Sequence, residues 1–136
     1  MPDKDNFFTI EKLRELAENY HSQPAAYSHL NDGIFVMECG VAGTGHIPEI
    51  ESRLQEVYPG SILSFVREYF NDYDEWAICI NNANGEKIGY IPRKKNEILA
   101  HLMDAGKQFY AEVIDLWYPE SDNWVNIIIR VYMKND

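Results

Sequence analysis

Cysteine is scarce in this chain. Its two copies, Cys39 and Cys79, lie far apart with no CxxC and no paired ligand spacing. A disulfide scaffold and a cysteine-built zinc site are therefore excluded as organising principles. Both cysteines fall in strand-like runs, where a buried free thiol is the simplest reading; a disulfide would need their strands to be neighbours. Cations are also short, with 12 Lys and Arg against 22 Asp and Glu and a net charge of −10. Phosphate affinity comes from Lys and Arg, so broad duplex binding is disfavoured, although a local basic pocket can hold one end while the rest stays acidic. Long apolar runs are missing, since no window approaches the roughly 20 apolar residues of a membrane-crossing helix. The opening Met1-Pro2-Asp3-Lys4-Asp5-Asn6 lacks the apolar core of a signal peptide. The expectation is a soluble cytoplasmic protein that does not engage a membrane.

Catalytic and metal signatures are absent as well. His21, His29, His46 and His101 form no ligand pattern with the cysteines. Gly43-Thr44-Gly45-His46 lacks both the GK[ST] of a P-loop and the GxGxxG of a dinucleotide site. Carboxylate pairs such as Asp72/Asp74 and Glu120/Asp122 are what an acidic chain produces by chance, and no Ser-His-Asp or Cys-His arrangement can be argued from spacing. The expectation is no enzyme, no cofactor and no metal.

What is present is a core. The 136 residues are 46% hydrophobic and 13% aromatic, enough apolar material for one domain without staples. Ile10, Leu13, Leu16, Ala17 and Tyr20 recur at helical spacing and predict an amphipathic helix over 8–21, with Thr9 as its N-cap. A connector follows to Asp32. Strands are predicted at 34–42, 62–68, 76–81, 87–91, 107–117 and 125–131, the second apolar on both faces and so central. Asn84-Gly85 marks a hairpin. A short helix opened by Pro48 buries Ile50, Leu54 and Val57. A second, over 94–105, carries Ile98, Leu99, Leu102 and Met103 on one stripe and closes at Gly106. In the last strand Val125, Ile127, Ile129 and Val131 alternate with Asn126, Ile128 and Arg130. Short strands with tight turns predict a mainly β, α+β fold: a small, partly closed OB/SH3-like barrel over 33–133 with two short helices, preceded by the helix and connector of 1–32.

Three motifs occur in order. Val41-Ala42-Gly43-Thr44 comes first. Then Arg67-Glu68 leads into Asn71-Asp72-Tyr73-Asp74-Glu75-Trp76-Ala77-Ile78. Last is Gly85-Glu86-Lys87-Ile88-Gly89-Tyr90-Ile91-Pro92-Arg93, ahead of a helix containing Ile98-Leu99-Ala100-His101-Leu102. Over about 36–115 this resembles the HIRAN domain, whose pattern has a V-x-G start, an R-[DE]-x-x-N-x-[YH]-D-x-x-A-[IV] centre and a G-x-x-[IV]-G-[YH]-[IL]-P-[RK] close. The resemblance implies a non-catalytic nucleic-acid-binding module. In fork-remodelling helicases such domains capture the 3′-hydroxyl end of single-stranded DNA, which links the reading to DNA repair and to damaged or stalled DNA. Similar bacterial domains occur alone or beside nucleases and helicases, so a helicase or nuclease is an implied protein partner. The chain departs from the helicase type at two places: Gly45 stands where that type carries a phosphate-binding arginine, and Trp76 where it often has a small polar residue.

Under that resemblance each residue has a chemical role and an ordinary alternative. The Asp74 carboxylate can accept the proton of a terminal hydroxyl, Tyr73 offers a stacking face, and Asn71 can bond a base edge; alternatively, all three build a turn. Arg67 can hold phosphate or pair with Glu68, Asp72 or Asp74. Arg93-Lys94-Lys95 is the densest basic cluster and lies at a helix N-terminus, a phosphate contact or a solvated turn. Tyr90 stacks on a nucleotide or packs in the core, since alternation puts Ile88, Tyr90 and Pro92 on one face; His46 falls where the helicase type has a stacking aromatic. The second expectation, from a different class, is an acidic protein-interaction module that has lost end binding and forms a homo-oligomer through the N-terminal helix.

Overall fold

The computed structural model describes residues 33–119 and 125–135; the predicted helix at 8–21 and the turn at 120–123 lie outside them. Six strands form one antiparallel sheet: β1 (Gly33–Gly40), β2 (Ile62–Arg67), β3 (Ile78–Asn81), β4 (Lys87–Tyr90), β5 (Phe109–Trp117) and β6 (Asn126–Lys134). A 3-10 turn, Thr44–His46, and the short helix α1, Ile50–Arg53, connect β1 to β2. The helix α2, Arg93–Asp104, connects β4 to β5. The strand order is β1-β6-β5-β2-β3-β4.

The sheet curls without closing fully. Its two edges meet at a single bridge, where Ala42 and Tyr90 exchange backbone hydrogen bonds of 2.8 Å. Gly89 makes this approach possible, because a Cβ there would stand 2.4 Å from Val41 Cγ1 and 2.7 Å from the Ala42 carbonyl oxygen. Inside lie Leu63, Ile78, Ile80, Ile88, Leu99, Ile127, Ile129 and Val131, all essentially inaccessible. Burying a side chain of this kind contributes about 1.5–3 kcal/mol. The period-two pattern of 125–131 is borne out, with Ile127, Ile129 and Val131 inward. Cys39 and Cys79 are buried free thiols on strands that are not neighbours, and burial pushes both up to about 11.

Three expectations need correction. β2 does sit inside the sheet, between β5 and β3, but Ile62 and Val66 on its outer face are exposed. The buried face of α2 is Asn96, Leu99 and Ala100 with Met103 packed beside them, the i, i+3, i+4, i+7 set; Ile98 is turned outward at 62% exposure. Alternation along β4 fails because Lys87 faces Asn81 while Gly89 faces Ile80, leaving Ile88 as a bulge residue. The extra residue brings Lys87 and Tyr90 to the same face, where their side chains touch.

Candidate functional site

The turn between β2 and β3 is built by its own side chains. Asn71 Oδ1 accepts hydrogen bonds from the backbone N–H of Tyr73 (2.8 Å) and Asp74 (3.0 Å), an Asx turn, as Asn favours. Asp74 Oδ1 then accepts from the Trp76 N–H at 2.9 Å. Its other oxygen, Oδ2, accepts from Asn96 Nδ2 at 2.7 Å. Asn96 is 2% exposed and comes from α2, so a buried amide fixes the carboxylate's direction. Beside it opens a polar hollow of about 380 Å³ lined by Asn71, Tyr73, Asp74, Trp76, Arg93 and further acidic side chains. Tyr73 is 86% exposed there.

A second network ties this turn to β4. Glu68 Oε1 accepts from Asn71 Nδ2 (3.1 Å) and from the Tyr90 hydroxyl (2.8 Å), while Lys87 Nζ lies 2.6 Å from Glu68 Oε2 and donates to the Tyr90 oxygen at 2.7 Å. Burial alone would raise the Glu68 carboxyl, but hydrogen bonds from Lys87, Tyr90 and Asn71 outweigh it and hold the group below its ordinary value. Glu68, followed by the Tyr90 hydroxyl, pushes the Lys87 ammonium above its ordinary range. Tyr90 is thus half-buried and pinned, with its ring under the glycine loop: a Cβ on Gly43 would stand 3.8 Å from Tyr90 Cδ1. Thr44 anchors that loop by donating to the Val125 carbonyl at 2.8 Å, and His46 at its end is exposed.

The basic residues divide. Arg67 has a side chain only 5% exposed; it holds Asp104 with Nε at 3.0 Å and Nη2 at 3.3 Å, and donates to the Ala77 and Glu75 carbonyls. Its guanidinium also lies 4.6 Å from the centre of the Tyr69 ring. It serves as an internal brace, and its acidic partner is Asp104, not Glu68, Asp72 or Asp74. Arg93, Lys94 and Lys95 are exposed on the first turn of α2. Arg93 approaches Asp74 only to 3.8 Å and is 74% exposed. Among the residues picked from sequence, Asn71, Tyr73, Asp74 and Arg93 line one hollow and Tyr90 joins them through Glu68. Lys94 and His46 lie outside its lining. Asn96, Glu68 and Lys87 were not singled out from sequence; only the structure places Asn96 inward and bulges β4. Among the described residues no group of three or more His, Cys, Asp or Glu could hold a metal ion, and no helix is long and apolar enough to cross a membrane.

A partly closed, six-stranded antiparallel barrel with a polar, turn-built hollow at one side defines the class of module. The chain belongs to the HIRAN domain family, whose family model matches residues 34–135. The helicase-like transcription factor of Oryctolagus cuniculus is 33% identical over 60 residues, 44% of this chain. The match spans only 6% of that relative's length. A crystal structure of a protein from Lactobacillus plantarum shares the fold at a TM-score of 0.64 and 24% identity, covering 76% of this chain and 97% of that one. The HIRAN domain of human HLTF aligns at 0.57 and 18%, covering 78% and 83%. The same HLTF domain in its DNA-bound conformation aligns at 0.51 and 18%, covering 81% and 85%.

Proposed function

We propose that this domain is a non-catalytic reader of single-stranded DNA 3′ ends. The observation that carries the reading is the Asp74 carboxylate, aimed by Asn96 and the Trp76 amide at the edge of a hollow that Tyr73 flanks. A fixed carboxylate accepts the hydroxyl proton of a strand end, and an exposed phenol ring gives the terminal base a face to stack on. The hollow is lined by Asp72, Asp74, Glu75 and Glu97 against Arg93 alone, a charge balance that disfavours a terminal phosphate and suits a neutral hydroxyl. Arg93, whose exposed pairing with Asp74 contributes little, is available to the phosphate next in line, with Lys94 beside it. Tyr90, pinned by Glu68 and Lys87, lies beyond the hollow's lining and joins it through the Glu68–Asn71 bond, and the exposed His46 stands outside it. Support from outside the chain is the DNA-bound conformation of the HLTF HIRAN domain. In this reading the domain presents an end to a helicase or nuclease partner.

The test is fluorescence anisotropy at low salt with a short single strand ending in a 3′-hydroxyl or a 3′-phosphate. Preference for the hydroxyl end, weakened in Asp74→Ala and Arg93→Ala, is the expected result; equal binding of both ends, or none, overturns the reading. A second reading, a protein-interaction module on the same fold, is favoured by the net charge of −10 and by Gly45 in place of a helicase-type arginine. It predicts no DNA binding at low salt and an oligomer or co-purifying partner.

A further inference from the structure

The outer face of the sheet carries an apolar surface separate from the Asp74 hollow. Tyr110 and Tyr132 point away from the barrel interior, since their neighbours Ala111 and Val131 point into it. The two rings stack at 5.4 Å, and Phe35 meets Tyr132 edge-on at 5.8 Å. Beside them runs a groove. One hollow of about 500 Å³ is lined by Ile62, Ser64, Phe109, Tyr110 and Lys134 among others. A second, of about 410 Å³, shares Ser64, Phe109 and Lys134 with it and extends past Val66 to Tyr69. Every residue of β2 lines one or the other, so the groove follows that strand for about 20 Å, at roughly 3.4 Å per residue. Ile62 and Val66 stand exposed along it at 42% and 47%. Among the described residues no carboxylate lines either hollow, in a chain with 22 acidic residues, and neither hollow shares a lining residue with the one beside Asp74.

What can fill the groove follows from where the chain enters the sheet. Gly33, the first residue of β1, pairs with Lys134, which lines both hollows. A Cβ on Gly33 would collide with the Tyr110 hydroxyl and stand 3.0 Å from Tyr132 Cβ, so a bare glycine lets the strand begin directly against the outer tyrosines. The segment before Gly33 therefore starts at the rim of the groove. It contains the helix predicted over 8–21, whose stripe of Ile10, Leu13, Ala17 and Tyr20 needs an apolar surface, while Glu11, Glu15 and Glu18 fall on the opposite side. At roughly 1.5 Å per residue such a helix is about 21 Å long, which matches the groove. The connector 22–32 reaches at most about 36–40 Å, enough to lay the helix along β2 in either direction. A tether this short holds the helix at an effective concentration on the order of millimolar, which favours a chain's own helix over that of a second copy.

We propose that residues 8–21 dock as a helix in this groove of their own chain, covering Ile62 and Val66. The test is disulfide trapping in the full chain. One cysteine replaces Ala17, near the middle of the helix, and the other replaces Ser64, where the two hollows meet, so the pair comes together whichever way the helix runs. Cys39 and Cys79 are buried, with thiols pushed up to about 11, and stay out of the exchange. Under mild oxidation Ala17→Cys with Ser64→Cys should form an intramolecular bridge at least about tenfold faster than Ala17→Cys with Lys94→Cys, whose second position lines neither hollow. Leu13→Asp on the helix and Ile62→Asp on the groove should each remove that advantage, and cooperative thermal unfolding of each variant checks that the barrel is intact. A bridged dimer would assign the groove to a second copy and overturn docking within the chain. No bridge, or equal rates for the two pairs, would overturn the helix as its occupant.

Discussion

Arg67 and Arg93 flank the same turn, occupy basic positions in two successive motifs, and do opposite work. The Arg67 flank is dry and fully committed: a guanidinium with a 5% exposed side chain bonds one carboxylate through two nitrogens and two backbone carbonyls besides. The Arg93 flank is wet and open, with a single 3.8 Å approach to Asp74. In a chain with 12 cations for 22 carboxylates, Arg67, Lys87 and Arg130 are each held by a carboxylate of the domain itself, whereas Arg93 keeps most of its side chain in solvent. The difference teaches that a motif arginine is not a phosphate contact by virtue of its place in the motif. Its exposure and its existing partners decide.

The largest expected effect breaks the dry flank. Arg67→Ala should cost about 2 kcal/mol of stability, since hydrogen bonds from a charged group contribute about 1.5–3 kcal/mol and the partly exposed Asp104 regains solvent. For a domain of this size, each kcal/mol lowers Tm by roughly 4–8 °C. Calorimetry should show the drop, while anisotropy on the remaining folded protein shows the same salt dependence as the native chain. A normal Tm would mean that the brace is dispensable and the contrast between the flanks is false.

Next comes the carboxylate between them. Asp74→Ala should weaken binding of a 3′-hydroxyl strand by at least about tenfold, which is about 1.4 kcal/mol, and remove the preference over a 3′-phosphate. If affinity falls but the preference survives, the carboxylate acts only through the turn. Arg93→Ala should have a smaller effect, a few-fold at low salt. Its signature is a slope of log affinity against log salt shallower by about 0.7, one phosphate on a single strand. An unchanged slope would remove Arg93 from the interface and leave the wet flank without a role.

The element order was legible from sequence because it depends on local chemistry. Strand alternation at Ile127, Ile129 and Val131 and the Asn84-Gly85 turn are short-range signals, and both are found as expected. The site was legible only in part. Asn71 and Asp74 are turn formers whose backbone bonds span two or three residues, and these form. Three features that decide what the site can do depend on distant partners. Asp104, 37 residues from Arg67, takes its charge; Asn96, 22 residues from Asp74, aims its carboxylate; and the Ile88 bulge turns Lys87 toward Tyr90. Asn96 was further hidden because a buried amide does not register in an apolar stripe.

The smallest effect sharpens the comparison by pH. Glu68 joins the turn to Tyr90 and Lys87, and its carboxyl sits below its ordinary value because the hydrogen bonds from Lys87, Tyr90 and Asn71 outweigh the burial that would raise it. A carboxyl depressed in the folded state binds fewer protons there than in the unfolded chain, so its stabilisation is fully present above the ordinary value and is lost as pH falls through the depressed one. Stability should therefore decline on the acid side, beginning near pH 4 to 5. Glu68→Gln should flatten that limb while lowering the neutral plateau by less than about 1 kcal/mol, since its side chain remains about a quarter exposed. Asp104, held low chiefly by Arg67, titrates on the same acid side. The acid limb of Glu68→Gln should thus shrink rather than vanish, and adding Arg67→Ala should remove more of it. If Glu68→Gln leaves the acid limb unchanged, the Glu68 network is not carrying its charge in the folded state, and the link between the hollow and Tyr90 is packing alone.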